Sequence, residues 1–360
     1  MQTFAFLIHP LDIDDIAKKY KIAKRVSPKV VGQVVRRRPS FVISEIEGIH
    51  SKTGVKAKGW FIAVPLLPWQ FSKLEEEYVV EKLAKACKVA KKEGAKIVGL
   101  GAFTAIAGGG GKALSEIVDI PVTTGNTYTT TTAIQGTMQA AKEMEIDTSK
   151  ATLAVVGATG SIGQACVKVM APDFNKTIIV GRDEDRLNEL KDDISLPGGV
   201  IEISTSVDNA VGRADVIVTV TGATGSVIKP SSIKSGAIIC DVARPRDVSR
   251  KVSVERDDVL VIDGSIVKAP GDVNFNFDFG PPPGMCEGCV GETVILALEG
   301  RYENYTIGKN ITVEKVKEME MLADKHGFTL AGLRRHEKLI TSGEIEKIKL
   351  KIRAGQKRSK

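Results

Sequence analysis

Aromatic residues make up only 5% of this 360-residue chain, and it has four histidines and five cysteines. His9, His50, His326 and His336 are scattered, and no second pair accompanies the Cys286-x-x-Cys289 motif, so the ligand spacing of a zinc site is missing. An odd number of cysteines on so long a chain does not read as a disulfide framework. No apolar run approaches a membrane span, and residues 1–10 lack the basic start and long apolar core of a signal peptide, so a cytoplasmic location is expected. With few aromatics interleaved among the cations, nucleic-acid binding has no signature here.

What is present suits a globular α/β protein. Hydrophobic residues are 42% and charged residues 26% of the chain, ample for real cores. The formal net charge is +7, and much of the excess sits at residues 18–38 and 347–360. An acidic protein partner and an ordinary solvated surface both account for such ends, and the last residues are expected to fray.

Residues 152–163 organise the rest. Leu153 to Val156 is a short apolar β-former run, followed by Gly157, Gly160 and Gly163 and then a helix-like segment. A glycine turn between strand and helix lets the backbone approach a phosphate, and the helix N-terminus supplies free N–H groups. The spacing is G-x-x-G-x-x-G, a variant of the standard dinucleotide pattern. The second strand, residues 177–180, ends about 20 residues on, where the ribose-reading residue is expected. There the chain has Gly181, Arg182 and Asp183, with Arg186 one turn later. Cations at that place suit a 2′-phosphate, so the expected cofactor is NADPH. The residues expected to hold it are Gly157, Ala158, Thr159, Gly160, Ser161, Ile162, Gly163, Arg182 and Arg186, with Thr221 and Gly222 from a later strand-end loop. An ordinary solvated charge cluster opening a helix is the plainer alternative for the arginines.

The first 150 residues do not repeat this pattern. Strands are expected at 3–8, 41–46, 60–64 and 96–100, and a helix at 75–93 with Val79, Leu83, Cys87 and Ala90 on one face. Gly108 to Gly111 precede Lys112, but Ile106 and Ala113 break a phosphate-loop motif, so the glycines read as a tight turn or a close approach to a ligand. Thr123, Thr124, Gly125, Asn126 and Thr127 read equally as a helix cap or as a polar loop contacting substrate. From residue 151, strands at 153–156, 177–180, 200–203, 215–220, 237–241 and 259–262 alternate with helical or turn segments, the mark of a mostly parallel sheet. The Gly222-Ala223-Thr224-Gly225 loop should border the ribose and nicotinamide. Residues 268–284, rich in Gly, Pro and Phe, read as a folded loop over a cleft.

Cys289 falls in the first turn of a helix that Gly300 stops. Helix N–H groups lower a thiol pKa there, which favours a nucleophile able to take an acyl group from a thioester. Small-residue packing at a helix start is the alternative for both Cys286 and Cys289. Cys87, Cys166 and Cys240 read as core.

Several stretches together resemble the long-chain fatty acyl–acyl carrier protein reductases of cyanobacteria over most of residues 1–333. They are Leu100-Gly-Ala-Phe103-Thr104, Thr123-Thr-Gly125-Asn126-Thr127, Val155-Val-Gly157-Ala158-Thr159-Gly160, Cys289-Val-Gly-Glu292, Leu298-Glu-Gly300, Gly308-Lys-Asn310-Ile-Thr312 and His326-Gly-Phe328. The Rossmann half is similar to shikimate dehydrogenase and glutamyl-tRNA reductase domains; residues 241–247 look like the latter's loop. The resemblance implies NADPH-dependent reduction of an acyl thioester to a fatty aldehyde through an acyl-enzyme on Cys289. Glu292 would support the helix or move a proton, and Phe103, Thr104, Thr123, Gly125, Asn126 and Thr127 would border substrate. It further implies a partner that is an acyl carrier protein or a coenzyme A thioester; the residues themselves show no metal-ligand constellation, and whether a divalent metal assists stays open. The loop 268–284 and the basic tail depart from the family pattern, which leaves acyl length and carrier open.

The expected architecture is α/β: a mixed N-terminal substrate domain (1–150), a Rossmann-type, mostly parallel domain (151–265), a loop and C-terminal helical segment carrying Cys289 (266–340), and a basic tail (341–360). A homo-oligomer is compatible with it. Two other functions fit the same residues: a shikimate-type oxidoreductase on a small polar keto acid without covalent catalysis, and a non-catalytic NADPH-binding regulator.

Overall fold

The computed structural model describes residues 1–194, 199–223, 225–309 and 311–358. Thr224 of the expected nicotinamide-side loop, Asn310 of the family-like stretch and the last two residues of the basic tail lie outside the described residues.

In chain order the first elements are β1 (Gln2–Ile8), α1 (Ile13–Lys19), α2 (Pro28–Arg36), β2 (Phe41–His50) and β3 (Lys56–Ala63). Next come α3 (Pro68–Lys73), α4 (Glu76–Lys92), β4 (Val98–Leu100), α5 (Ala107–Ile117), β5 (Val122–Thr123) and α6 (Asn126–Glu143). The regular alternation follows: β6 (Thr152–Val156), α7 (Ser161–Met170), β7 (Lys176–Val180), α8 (Glu184–Asp192) and β8 (Val200–Ser204). It continues with α9 (Val207–Val211), β9 (Val216–Thr219), β10 (Ile238–Asp241), α10 (Arg250–Glu255) and β11 (Leu260–Asp263). The last part holds β12 (Ile266–Lys268), β13 (Gly271–Asn274), β14 (Met285–Glu287), α11 (Gly288–Glu299), α12 (Val313–His326) and α13 (Ser342–Arg358). The fold is α/β, with one mixed and one parallel sheet.

Two compact units emerge, and neither is one contiguous stretch. The first comprises residues 1–128, 268–310 and 319–329; the second comprises 129–267, 311–318 and 330–360. The boundaries expected at 150, 265 and 340 thus do not coincide with the units, because the chain returns to the first sheet after completing the second.

In the first unit the sheet order is β13-β2-β3-β1-β4-β5. β1 runs parallel to β3 and β4, while β2 pairs antiparallel with β3 and β13. The inward residues Ala5, Leu7, Ile62, Val98 and Leu100 are fully buried with Leu83 and Cys87 from α4. That is the amphipathic face expected of 75–93. Residues 268–284, read from sequence as loop throughout, contribute the edge strand β13, after which Phe275 and Phe279 pack on Phe61. Burying those rings is what makes the segment part of the sheet.

The second unit holds the parallel sheet β11-β10-β9-β6-β7-β8, all six strands where the alternation placed them. Its order reverses between β6 and β9, the switch point at which open α/β sheets bind ligands beyond their strand C-termini. The basic tail is not frayed over its described length. It forms α13, whose Ile345 and Ile348 bury against the core that Leu153, Val216 and Ile238 also join. Two isoleucines three apart on one helical face are sufficient to dock it.

Candidate active site

The dinucleotide turn lies between β6 and α7. Gly157 has φ 86°, a left-handed conformation in which L side chains are strained, and a Cβ there would stand 2.6 Å from the Val220 carbonyl oxygen. A Cβ on Gly163 would stand 2.3 Å from the Gly157 carbonyl oxygen, so this glycine is what lets α7 start against the turn. Ala158 and Gly163 are buried and shape the turn, whereas Thr159, Gly160, Ser161 and Ile162 are half-buried and form its accessible edge. Gly160 is the N-cap of α7, with ψ 165°, and the N–H groups of that first turn are the ones an anion would use.

Arg182 is exposed just past β7, and the Arg186 guanidinium donates to the Thr159 carbonyl oxygen at 3.2 Å. Of the two cations expected to read a 2′-phosphate, Arg186 reaches the turn itself and Arg182 lies exposed just past β7. Across the switch point, Asp247 is fully buried, and its carboxylate accepts from Thr219 Oγ1 (2.7 Å), Thr221 N–H (2.8 Å) and Thr221 Oγ1 (2.5 Å). Sequence reasoning did not single out Asp247; its role is to hold the start of the loop that carries Gly222. Beside it, burial pushes Asp241 up to about 6, with Arg244 opposing the shift. Gly222 and Gly225 have open space where a Cβ would be. A hydrogen-bonded turn, an accessible edge and open glycines opposite fit a dinucleotide.

The candidate catalytic residues are in the first unit. Cys289 is the second residue of α11, following the N-cap Glu287. Gly125, with φ 73°, lies directly against it: a Cβ at 125 would stand 2.3 Å from Cys289 Cα and 2.4 Å from its Cβ. The Thr-Gly-Asn-Thr stretch and the Cys-x-x-Glu stretch thus meet through a glycine that has no room for any other residue.

Glu292, one turn along α11, ties the two together. Its Oε1 accepts from Thr123 Oγ1 (2.5 Å) and Thr306 Oγ1 (2.7 Å), and its Oε2 accepts from the Tyr128 N–H (2.8 Å). Because Thr306 Oγ1 gives its proton to Glu292, the 2.8 Å contact between Thr127 Oγ1 and Thr306 Oγ1 is donated by Thr127. The Thr306 carbonyl oxygen in turn accepts from Thr124 N–H and Oγ1, both at 3.0 Å. Burial raises the Glu292 carboxyl above its ordinary value, and the hydrogen bonds from Thr123, Tyr128, Thr306 and Thr127 pull it back. Thr306 was not legible as part of this network, since nothing in Tyr305-Thr306-Ile307 marks it.

The thiol differs from the expectation. Cys289 is partly exposed, yet burial raises its thiol well above its ordinary value. The Glu287 and Cys286 side chains add to the rise, and the Val290 N–H offsets only some of it. Desolvation of the thiolate therefore outweighs the helix N-terminus, and the resting thiol is protonated. Cys286 is completely buried, as are Cys87, Cys166 and Cys240.

Of the other expected substrate residues, Thr104 is fully buried and closes the turn after β4, donating to the Gly101 carbonyl oxygen and accepting from the Gly101 N–H, both at 2.8 Å. Phe103 stacks on Phe71, and its N–H donates to His9 Nε2 at 3.2 Å. His9 is neutral, lowered to about 4 by burial, with Nδ1 donating to the Pro10 carbonyl oxygen. Asn126 is half-buried at the start of α6. The four glycines 108–111 form one left-handed turn, and Gly110 packs on Gly308, whose N–H donates to the Gly110 carbonyl oxygen at 2.8 Å. Their close approach is to the chain itself. Among the described residues no group of three or more His, Cys, Asp or Glu is placed to hold a metal ion, and no helix is long and apolar enough to cross a membrane.

Residues 139–264 match the family model described as shikimate / quinate 5-dehydrogenase. The chain is 30% identical over 90% of its length to the aminotransferase PigE of a Serratia strain, spanning only 39% of that protein. It is 29% identical over 81% of its length to the long-chain acyl-[acyl-carrier-protein] reductase of Synechococcus elongatus, covering 87% of it. A solved structure of glutamyl-tRNA reductase from Methanopyrus kandleri aligns with 79% of this chain and 57% of its own, at 16% identity and a TM-score of 0.32. Geometry and sequence agree on the second unit: it carries a shikimate dehydrogenase-like Rossmann domain, an NAD(P)-binding, oxidoreductase-like fold.

Proposed function

We propose that this protein reduces an acyl thioester to an aldehyde with NADPH, through an acyl group carried on Cys289. The observation that supports it most is the seat of Cys289: the first turn of a helix, against a glycine with no side chain, locked to the Thr123–Thr127 stretch through Glu292. The similarity to the Synechococcus reductase, 29% identical over 81% of this chain and 87% of that protein, supports the same reading. The arginines on the dinucleotide turn favour NADPH over NADH.

In this reading the Cys289 thiol loses its proton as substrate arrives, and the sulfur attacks the thioester carbonyl carbon. The carrier's thiol leaves with a proton, and an acyl–Cys289 thioester remains. The N–H groups of the first turn of α11 are the donors for the oxygen that becomes negative during attack. The turn at Gly157–Gly163 would hold the reduced dinucleotide, which would supply one hydride for the carbonyl carbon. The carbon–sulfur bond then breaks, the aldehyde departs and the Cys289 sulfur recovers a proton from solvent. Acyl thioester, NADPH and one proton become aldehyde, free thiol and NADP⁺. Glu292, with its oxygens engaged by hydroxyl and amide donors, is a positioning residue.

The test is intact-protein mass after mixing the pure protein with palmitoyl–acyl carrier protein or palmitoyl-CoA, without NADPH. An acyl adduct mapping to Cys289, discharged as aldehyde when NADPH is added, is the expected result. Aldehyde or NADPH turnover that persists in Cys289→Ala overturns covalent catalysis and favours hydride transfer of the shikimate type.

A further inference from the structure

Between residues 16 and 44 the sequence has nine Lys or Arg and not one Asp or Glu. In the structure this stretch is the second half of α1, whose first turn carries Asp14 and Asp15, then a short 3₁₀ turn (Lys21–Arg25), α2 and the start of β2. Its inner side is a small satellite core of Ala17, Ala23 and Val31, with Ile13, Ile16 and Val35 half-buried around it. That side is firmly seated. A Cβ on Gly32 would stand 2.6 Å from the Trp69 ring, the Gln70 side-chain amide donates to the Gly32 carbonyl oxygen, and Lys82 Nζ donates to the carbonyl oxygens of Arg36 and Arg38.

The outer side has an unusual composition. Tyr20, Ile22, Val30 and Val34 are exposed by 55, 70, 50 and 53%. Val30 and Val34 are four apart on α2, hence on one face, and Lys29 and Arg37 flank them. The carboxylates closest in sequence are occupied locally: Asp12 caps α1 by accepting from the Asp15 N–H, Asp15 accepts from the Leu11 N–H, and Asp14 pairs with Lys24. α13 makes the contrast. It is similarly basic, but its Ile345 and Ile348 are covered by core, and Leu350 alone of its large aliphatic residues is strongly exposed, where α1–α2 shows four such side chains.

We infer that the outer face of α1–α2 docks on an anionic lipid surface, with Tyr20, Ile22, Val30 and Val34 entering the headgroup boundary and the lysines and arginines facing lipid phosphates and carboxylates. Aliphatic side chains and a tyrosine set singly among cations, with the acids confined to the first turn of α1, where Asp14 pairs with Lys24, form the pattern of an interfacial helix. A protein partner of matching acidity would satisfy the cations but leave the aliphatic residues between them without a reason to be exposed. The inference does not depend on the reaction at Cys289.

The test is co-sedimentation of the full-length protein with vesicles of phosphatidylcholine alone or phosphatidylcholine with phosphatidylserine. The wild-type protein should pellet with the anionic vesicles only and be released by high salt. Replacing Lys29, Arg37 and Arg38 with Gln should weaken binding roughly a hundredfold. Val30→Ser with Val34→Ser should weaken it about tenfold at unchanged charge. All substituted residues are exposed, so an unchanged thermal midpoint is expected of both variants. Wild-type protein left in the supernatant, equal binding to neutral vesicles, or full binding by both variants overturns the inference. So does a salt-sensitive complex of the same face with a soluble acidic protein when the vesicles are not bound.

Discussion

At the β6–α7 junction Thr159, Gly160 and Ser161 present a half-open edge, Arg186 reaches the Thr159 carbonyl oxygen, and Arg182 is exposed just past β7. At the start of α11 the pattern is reversed: Glu292 is fully buried with its oxygens satisfied internally, and burial and the nearby Glu287 raise the Cys289 thiol. One junction is built to receive charge that a ligand brings. The other keeps its thiol neutral at rest. Both depend on glycines packed where a Cβ cannot fit, but Gly157 and Gly163 make room within one local turn, whereas Gly125 makes room for a residue 164 positions away in sequence.

The sharpest way to break this contrast is Cys289→Ala. It should reduce aldehyde formation by at least about a thousandfold, as removal of an attacking nucleophile does, while leaving dinucleotide binding unchanged by fluorescence titration. A smaller loss at both junctions together would mean they are not separable.

Gly125→Ala comes next. The added methyl would meet Cys289 at 2.3 Å and sit on a backbone with φ 73°, so stability should fall by about 2–4 kcal/mol in thermal or denaturant unfolding. Acyl-adduct formation should slow by roughly a hundredfold on that scale of displacement. Unchanged adduct kinetics would show that the close packing at Cys289 is incidental.

At the open junction, Arg182→Ala combined with Arg186→Ala should raise the KM for NADPH about tenfold or more, while that for NADH changes little, since only a 2′-phosphate loses its charged partners. An equal rise for both cofactors would assign the arginines to the turn's structure, consistent with the Arg186 contact to Thr159 alone.

The mildest test concerns the thiol. Its pKa is raised by burial, so the thiolate is scarce at neutral pH, and alkylation of Cys289 by iodoacetamide should be slower than that of free cysteine. The rate should climb about tenfold per pH unit below the raised pKa, following the thiolate fraction. A plateau already present near pH 7 would restore the activated thiol that the helix start alone suggests.

Much of the second unit was legible in the sequence because its signals are local. Six apolar runs and three spaced glycines each act within about ten residues of where they stand, and all six strands formed in the expected places. The first unit was less legible. Residues 268–284 look like loop until β2 supplies an edge for β13 and Phe61 a surface for their phenylalanines. In the second unit the basic tail is the exception: it looks frayed until the core covers Ile345 and Ile348. Phe103 and Thr104 read as substrate contacts because their stretch is distinctive, yet they are held by Phe71, His9 and Gly101.

By itself the sequence determined the α/β class, the parallel sheet, the glycine turn and the place of Cys289 at a helix start, since each follows from periodicity or from backbone conformations that only glycine adopts readily. Tertiary structure alone decided that Glu292 gathers Thr123, Tyr128 and Thr306, that Gly125 abuts Cys289, and that the thiol is protonated at rest. Hydrogen bonding across 14 to 169 positions and the loss of water around a sulfur are properties of what surrounds a residue in space, and no spacing along the chain encodes them.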